Sequence, residues 1–268
     1  MVEYFALNKI LKQGVTYSAP NDEFLIIEAI GTNATTDAYL KIDGNDTGKI
    51  ISDIAPLHKT SSNKLGPLDI SKLPYIVPPQ KRFTVEGASG TKFRVIGKIG
   101  KLSVGEAVPS GILARFDEQR SRYITYISGS KTVGTDVVWG ADVEYEVLSL
   151  TPKTTEKYML NRFAGATITG GSFSEGDFAI RFYLDGRPLD NLAKDVAPYG
   201  IDVLNMPKTP TSTTEELLFT LEDTPIEVLG DQTLTVKAVN VSGSNKSPNT
   251  GSSWAIAFVA VVEYARIR

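Results

Sequence analysis

Cysteine is absent from this chain of 268 residues, and histidine occurs once. The first absence excludes disulfides and thiolate metal sites, so packing alone must hold the fold together. The second leaves zinc short of its usual ligands and a hydrolytic triad with a single possible base. No stretch approaches the roughly 18 continuous apolar residues that a membrane-spanning helix needs. The longest candidate, Trp254 to Val262, has the length of a buried strand. A cationic excess is also missing: Lys plus Arg is 28 and Asp plus Glu is 31, for a net charge of −3. Sequence-independent nucleic-acid binding requires such an excess to displace counterions, so no nucleic-acid specificity is expected. The one basic cluster, Arg115, Arg120 and Arg122, is interleaved with Asp117 and Glu118 and reads as a solvated strand or loop face. The opening MVEYFALNKILKQG carries Glu3 and no apolar run, which is not the pattern of a secretory signal.

Turn residues and β-branched alternation take the place of what is missing. Arg122 to Ile127, Val143 to Leu148 and Thr233 to Val239 alternate with period two, the pattern of half-buried strands. Phe24 to Ile30 and Trp254 to Val262 are nearly continuous apolar runs, as suits strands covered on both faces. Gly, Asn, Asp, Ser and Pro cluster between the runs. Many short strands between frequent turns predict an all-β sandwich or jelly roll.

Four anchors recur in one order and predict an internal duplication. Leu7-Asn8-Lys9 matches Leu160-Asn161-Arg162. Asp43-Gly44 followed by Asp53-Ile54-Ala55-Pro56 matches Asp185-Gly186 followed by Asp195-Val196-Ala197-Pro198, at a constant offset of 142. Ser128-Gly129-Ser130 matches Ser242-Gly243-Ser244. Trp139 and Val143-Glu144-Tyr145 match Trp254 and Val262-Glu263-Tyr264. This alignment predicts domains at 1–150 and 151–268, with LTPKTTEK as the linker and a long insertion in the first copy, about residues 57–120. A short helix is expected after each Asp-Gly turn: Ile50, Ile51 and Ile54 in one copy, Leu189, Leu192 and Val196 in the other, the latter between Pro188 and Pro198.

Catalytic arrangements are sparse. His58 lies in a Lys- and Ser-rich loop with no motif around it. No G-x-S-x-G elbow occurs, and the Gly-Lys pairs at Gly48, Gly97 and Gly100 are followed by Ile, Ile and Leu, where a phosphate-binding loop needs Ser or Thr. Asp43 and Asp185 are the repeated acids that a glycosidase pair would use, yet Asp before Gly at a strand end is first a tight turn. Asp43-Gly44-Asn45-Asp46 could also offer oxygens to Ca²⁺, without the remaining spacing of a calcium loop. Asn33, Asn45, Asn240 and Asn245 begin N-x-Ser/Thr sequons and read as polar loop residues. No catalytic, cofactor-binding or metal residue is assigned, and the chain is read as a non-enzyme.

The doubled pattern at Leu40 to Gly44 and Phe182 to Gly186, with a final strand ending Val262-Glu263-Tyr264, resembles the double jelly-roll major capsid proteins of membrane-containing icosahedral viruses, the corticovirus-like members in particular. The resemblance implies two tandem jelly-roll β-sandwich domains and a homotrimer of pseudo-hexagonal outline built into a capsid lattice. It also implies contacts with other virion proteins and with an internal membrane, synthesis in the host cytoplasm, and residence in the virion. The terminus Ala265-Arg266-Ile267-Arg268 is the candidate for a membrane-facing basic segment. The alternative is a tandem β-sandwich spike, fibre or carbohydrate-binding adhesin. Both tryptophans lead into apolar strands and read as core residues rather than as a sugar platform, which favours the capsid reading.

Overall fold

The computed structural model describes residues 1–34, 37–43, 45–49, 68–174, 177–189, 201–202 and 225–267. His58 and the two segments expected to be helical, around Ile50–Ile54 and Leu192–Val196, lie outside the described residues.

The first set of strands is β1 (Glu3–Lys12), β2 (Thr16–Ser18), β3 (Glu23–Thr32), β4 (Tyr39–Ile42), β5 (Asn45–Lys49), β6 (Leu68–Asp69), β7 (Tyr75–Val77), β8 (Arg82–Glu86) and β9 (Lys92–Lys101). The helix α1 (Ser110–Glu118) follows. The second set is β10 (Arg122–Thr132), β11 (Glu144–Leu150), β12 (Glu156–Thr169), β13 (Phe178–Leu184), β14 (Arg187–Pro188), β15 (Ile201–Asp202), β16 (Ile226–Val228), β17 (Leu234–Asn240) and β18 (Ala255–Arg266).

The two sets adopt one strand order. In the first, β1-β9-β3-β6 form one sheet, with β7 also on β3, and β2-β8-β4-β5 form the other. In the second, the sheets are β10-β18-β12-β16 and β11-β17-β13-β14, with β15 also on β13. Each set is thus an antiparallel sandwich of two Greek-key sheets, the jelly roll. Strand by strand, β1 corresponds to β10, β4 to β13, β8 to β17 and β9 to β18.

This order corrects the expected insertion. Residues 68–101 are not an elaboration of the first copy but supply β6 to β9, including the central strand β9. The anchor alignment misplaced them because Ser128-Gly129-Ser130 lies within β10, whereas Ser242-Gly243-Ser244 follows β17. Likewise Leu7-Asn8-Lys9 falls on β1 and Leu160-Asn161-Arg162 on β12, which hold different places in the order. Of the four anchors, only the Asp-Gly pair falls on corresponding strands. Compact packing divides the chain at Tyr126/Ile127, with Glu263–Arg266 grouped with the first unit, rather than at 150/151. The expected linker, residues 150–157, covers the end of β11, a turn and the start of β12 within the second unit.

The Asp185-Gly186 turn closes a β-hairpin. Asp185 (φ 50°) and Gly186 (φ 75°) connect the paired residues Leu184 and Arg187. Two consecutive positive φ values are what a type I′ loop demands, and Gly meets that demand without strain. Pro188, placed by the sequence at a helix start, instead pairs with Tyr183 in β14. Asp43 (φ 55°) stands between the paired Ile42 and Asn45. The match extends to the neighbouring strand: Asp43 N–H donates to Arg82 O (2.6 Å) and Asp185 N–H to Thr233 O (2.9 Å).

Alternation places the cores. In the first unit Leu7 and Leu11 of β1, Phe93 and Val95 of β9, Leu40 and Ile42 of β4, and Phe83 and Val85 of β8 are buried. In the second, Phe178, Ile180 and Phe182 of β13 meet Leu234, Val236 and Ala238 of β17, together with Ile256, Phe258 and Ala260 of β18. Each fully buried Val, Leu, Ile or Phe side chain among these contributes about 1.5–3 kcal/mol. As the apolar run suggests, β18 is buried continuously from Ile256 to Val262.

Candidate functional site

The residues singled out by sequence resolve into structural roles. The Oδ2 of Asp43 is 2.8 Å from the Lys81 ammonium, which holds the carboxyl below the usual range. The Oδ1 of Asp185 accepts from Thr233 N–H at 2.8 Å. Both repeated acids therefore act in their turns. Among the described residues no group of three His, Cys, Asp or Glu side chains is arranged to hold a metal ion.

Trp139 and Trp254 do not occupy one position in each unit. Both lie in the core of the second, fully buried, with ring centroids 5.9 Å apart. Phe178 packs against both, at 4.5 and 5.6 Å. The indole N–H of Trp139 donates to Val143 O at 2.8 Å.

Asn240 is fully buried at the end of β17. Its amide donates to the carbonyls of Trp139 (2.9 Å), Gly140 (3.2 Å) and Ser244 (2.7 Å), and its Oδ1 accepts from the Ser242 backbone and hydroxyl. The sequon there is unusable, because every polar atom of the side chain is engaged inside the fold. Asn33 is held by Lys92 N–H (2.7 Å) and Gly90 O (3.3 Å).

The arginine cluster straddles the end of α1, the turn at Arg120 and the start of β10. Arg115 lies in α1 with its guanidinium largely buried, where it donates to the carbonyls of Leu73, Pro74 and Arg122 and pairs with Glu118 at 3.1 Å. Burial lowers its pKa against the opposing pull of Glu118. Arg122 bridges Glu118 (3.3 Å) and Glu263 (2.5 Å). Sequence periodicity missed α1: only Phe116 is buried along it, so it lacks the apolar stripe by which helices are read.

A second cluster escaped the sequence because its members are far apart in the chain. On the outward face of β11, β13 and β17, Glu144 accepts from Arg181 (2.8 Å), Lys237 (3.1 Å) and the Tyr183 hydroxyl. Burial pushes the Glu144 carboxyl up, but the donors from Tyr183, Arg181 and Lys237 outweigh it and hold the carboxyl below the usual range. Burial, and then the bond to Glu144, push the Tyr183 hydroxyl up to about 12. With its oxygens filled by donors, Glu144 is a structural acceptor, unlike a general acid with a raised pKa. An open cleft of about 370 Å³ is lined by Gln13, Gly14, Thr16, Thr84, Val85, Glu86 and Gly87. Its one carboxylate, Glu86, is paired with Lys41 at 2.8 Å.

The surface feature with the capacity to bind is a strand edge. β1 terminates its sheet, paired only with β9 among the described residues, and eight of its ten residues are exposed.

No protein-family model matches the chain, and no curated protein matches it. Solved structures give weak likenesses. The ANX1 ectodomain of Arabidopsis thaliana is 7% identical over 97% of this chain and 83% of its own, with a TM-score of 0.29. The PBCV-1 virus capsid is 11% identical over 99% and 95%, with a TM-score of 0.26. The infectious bursal disease virus Gt strain structure is 8% identical over 100% and 77%, with a TM-score of 0.23. Viral capsid structures are thus among the weak likenesses, while the jelly-roll assignment rests on the strand order.

Proposed function

We propose that the chain is a virion structural protein, a capsid subunit whose two jelly rolls are copies of one unit joined within residues 102–121. The observation that carries this reading is the strand order, found twice in one chain. Three chains then present six similar units and fill a hexagonal lattice position with a single chain type, an economy that closed symmetry favours. In this reading the partners are further copies of the chain, other virion proteins and an internal membrane, and no step of chemistry is assigned to any residue. The deep burial of both tryptophans leaves them unable to serve as a sugar-stacking platform, which supports the capsid reading over the adhesin.

Light scattering coupled to size-exclusion chromatography, followed by negative-stain microscopy, tests the proposal. The expected result is a mass of three chains with a six-lobed outline, or closed shells. A strictly monomeric chain that binds glycans on an array overturns it in favour of the adhesin.

A further inference from the structure

The edge of β1 has an address written into it. Gln13 N–H donates to Thr91 O (2.9 Å) in continuation of the β1–β9 ladder, in which residues whose numbers sum to 104 are partners. An antiparallel ladder alternates, so the odd residues of β1 bond to β9 and the even residues turn their N–H and C=O outward. The outward position at Lys12 is already closed, because its N–H donates to the Tyr17 hydroxyl at 2.9 Å. Among the described residues the open edge is therefore Tyr4, Ala6, Asn8 and Ile10. Long exposed edges are ordinarily blunted by charged side chains, Pro, bulges or a covering segment, and β1 carries the first of these at Glu3, Lys9 and Lys12. β1 has no Pro, pairs with β9 without a register shift, and leaves Tyr4 and Ile10 more than half exposed, at 52% and 57%.

We propose that this edge is a self-pairing surface: β1 of one chain adds antiparallel to β1 of a second copy across a two-fold axis at Leu7. One register uses the four open residues and no others. It sets Tyr4 opposite Ile10 and Ala6 opposite Asn8, each twice by symmetry, and forms about eight backbone hydrogen bonds. The same register is complementary in side chains. The exposed Tyr4 and Ile10 cover one another on one face. On the other, Phe5, 51% exposed, meets the stem of Lys9, and Glu3 lies diagonal to Lys9 of the second copy. The strand carries its acid at one end and Lys9 and Lys12 at the other, so antiparallel pairing joins opposite charges, whereas parallel pairing would join like ones. The inference rests on β1 alone and goes beyond the trimer reading; a closed shell also requires contacts across two-fold axes, and this edge supplies one.

The absence of native cysteine makes the register directly readable. Under mild oxidation the double variant Ala6→Cys with Asn8→Cys should form disulfide-linked dimers, and the two single variants should not, because each residue faces its opposite rather than itself. Ala6→Pro removes an outward N–H without touching the β1–β9 ladder, and should abolish the two-fold species in analytical ultracentrifugation while preserving the far-UV circular dichroism. Ile10→Lys serves the same purpose should the proline variant fail to fold. An unassociated wild type at tens of micromolar, no cross-link in the double variant, cross-linking by either single variant, or unchanged association of the folded Ala6→Pro or Ile10→Lys chain would each overturn the proposal. Trimers or shells that persist in Ala6→Pro with no β1 cross-link in the double variant would sink this inference and leave the capsid reading standing.

Discussion

Trp139 and Trp254 meet edge to face, with ring planes at 73° and centroids 5.9 Å apart, at the centre of the second jelly roll. The residues lie more than a hundred positions apart in the chain, on the β10–β11 connection and immediately before β18. Their contact ties the two sheets together at one end of the sandwich. Replacing Trp139 by Ala removes an indole, its bond to Val143 O and its contact with Phe178, and should cost about 3–5 kcal/mol. Equilibrium denaturation in urea measures the loss, and near-UV circular dichroism should show the signal of the coupled indoles disappear.

Glu144 gives a pH dependence of definite sign. Its folded pKa is lowered, so its contribution is complete above the unfolded value of about 4.3 and is lost as pH falls through the folded value. Asp177, held below its usual range by Lys246 (2.8 Å) and Ser174 N–H against the effect of burial, acts in the same direction. Glu144→Gln should lower stability at pH 7 by about 1–3 kcal/mol, because half-buried donors lose a charged acceptor. It should also flatten the acid limb below pH about 4. Melting temperatures across pH 2–7 for the two proteins check both effects.

Asn240 faces three carbonyl oxygens with its amide nitrogen. Asn240→Ala should cost about 1–3 kcal/mol for the orphaned partners. The nearly isosteric Asn240→Asp should cost more, because it turns a carboxylate oxygen toward three acceptors. Denaturant midpoints of the two variants give the order, which would be reversed if the side chain contributed only volume.

Gly100 lies between Tyr4 and Phe24 in register, and the Phe24 ring covers it. A Cβ at Gly100 would come within 2.1 Å of Phe24 Cζ. Gly100→Val should therefore destabilise by about 1–3 kcal/mol through overpacking. Phe24→Leu should relieve part of that loss in a double-mutant cycle.

The strands were legible where alternation or an unbroken apolar run carried them: β3, β10, β11, β17 and β18 all fall on segments that their patterns mark out. The turn at Asp185-Gly186 was legible because few dipeptides satisfy two positive φ values. The partner of each strand was not legible, since period-two patterning fixes which face is buried and says nothing about which neighbour is bonded. Hence Ser-Gly-Ser and Val-Glu-Tyr, similar as words, fall on strands with different places in the sandwich. The Glu144 cluster was invisible for the same reason: Arg181, Tyr183 and Lys237 reach it only after three strands have paired. α1 escaped because its anchoring side chain is Arg115, whose polar contacts leave no hydrophobic signature.

The Glu144 cluster also bears on how the chain reaches this fold. Its members project from three adjacent strands, each of which carries core residues at the intervening positions. A slip of one residue in any of the three would swing a carboxylate, a guanidinium or an ammonium into the apolar interior, where an unpaired charge is costly. Three charges whose net contribution to native stability is modest thus penalise a misaligned pairing more heavily than they reward the native one.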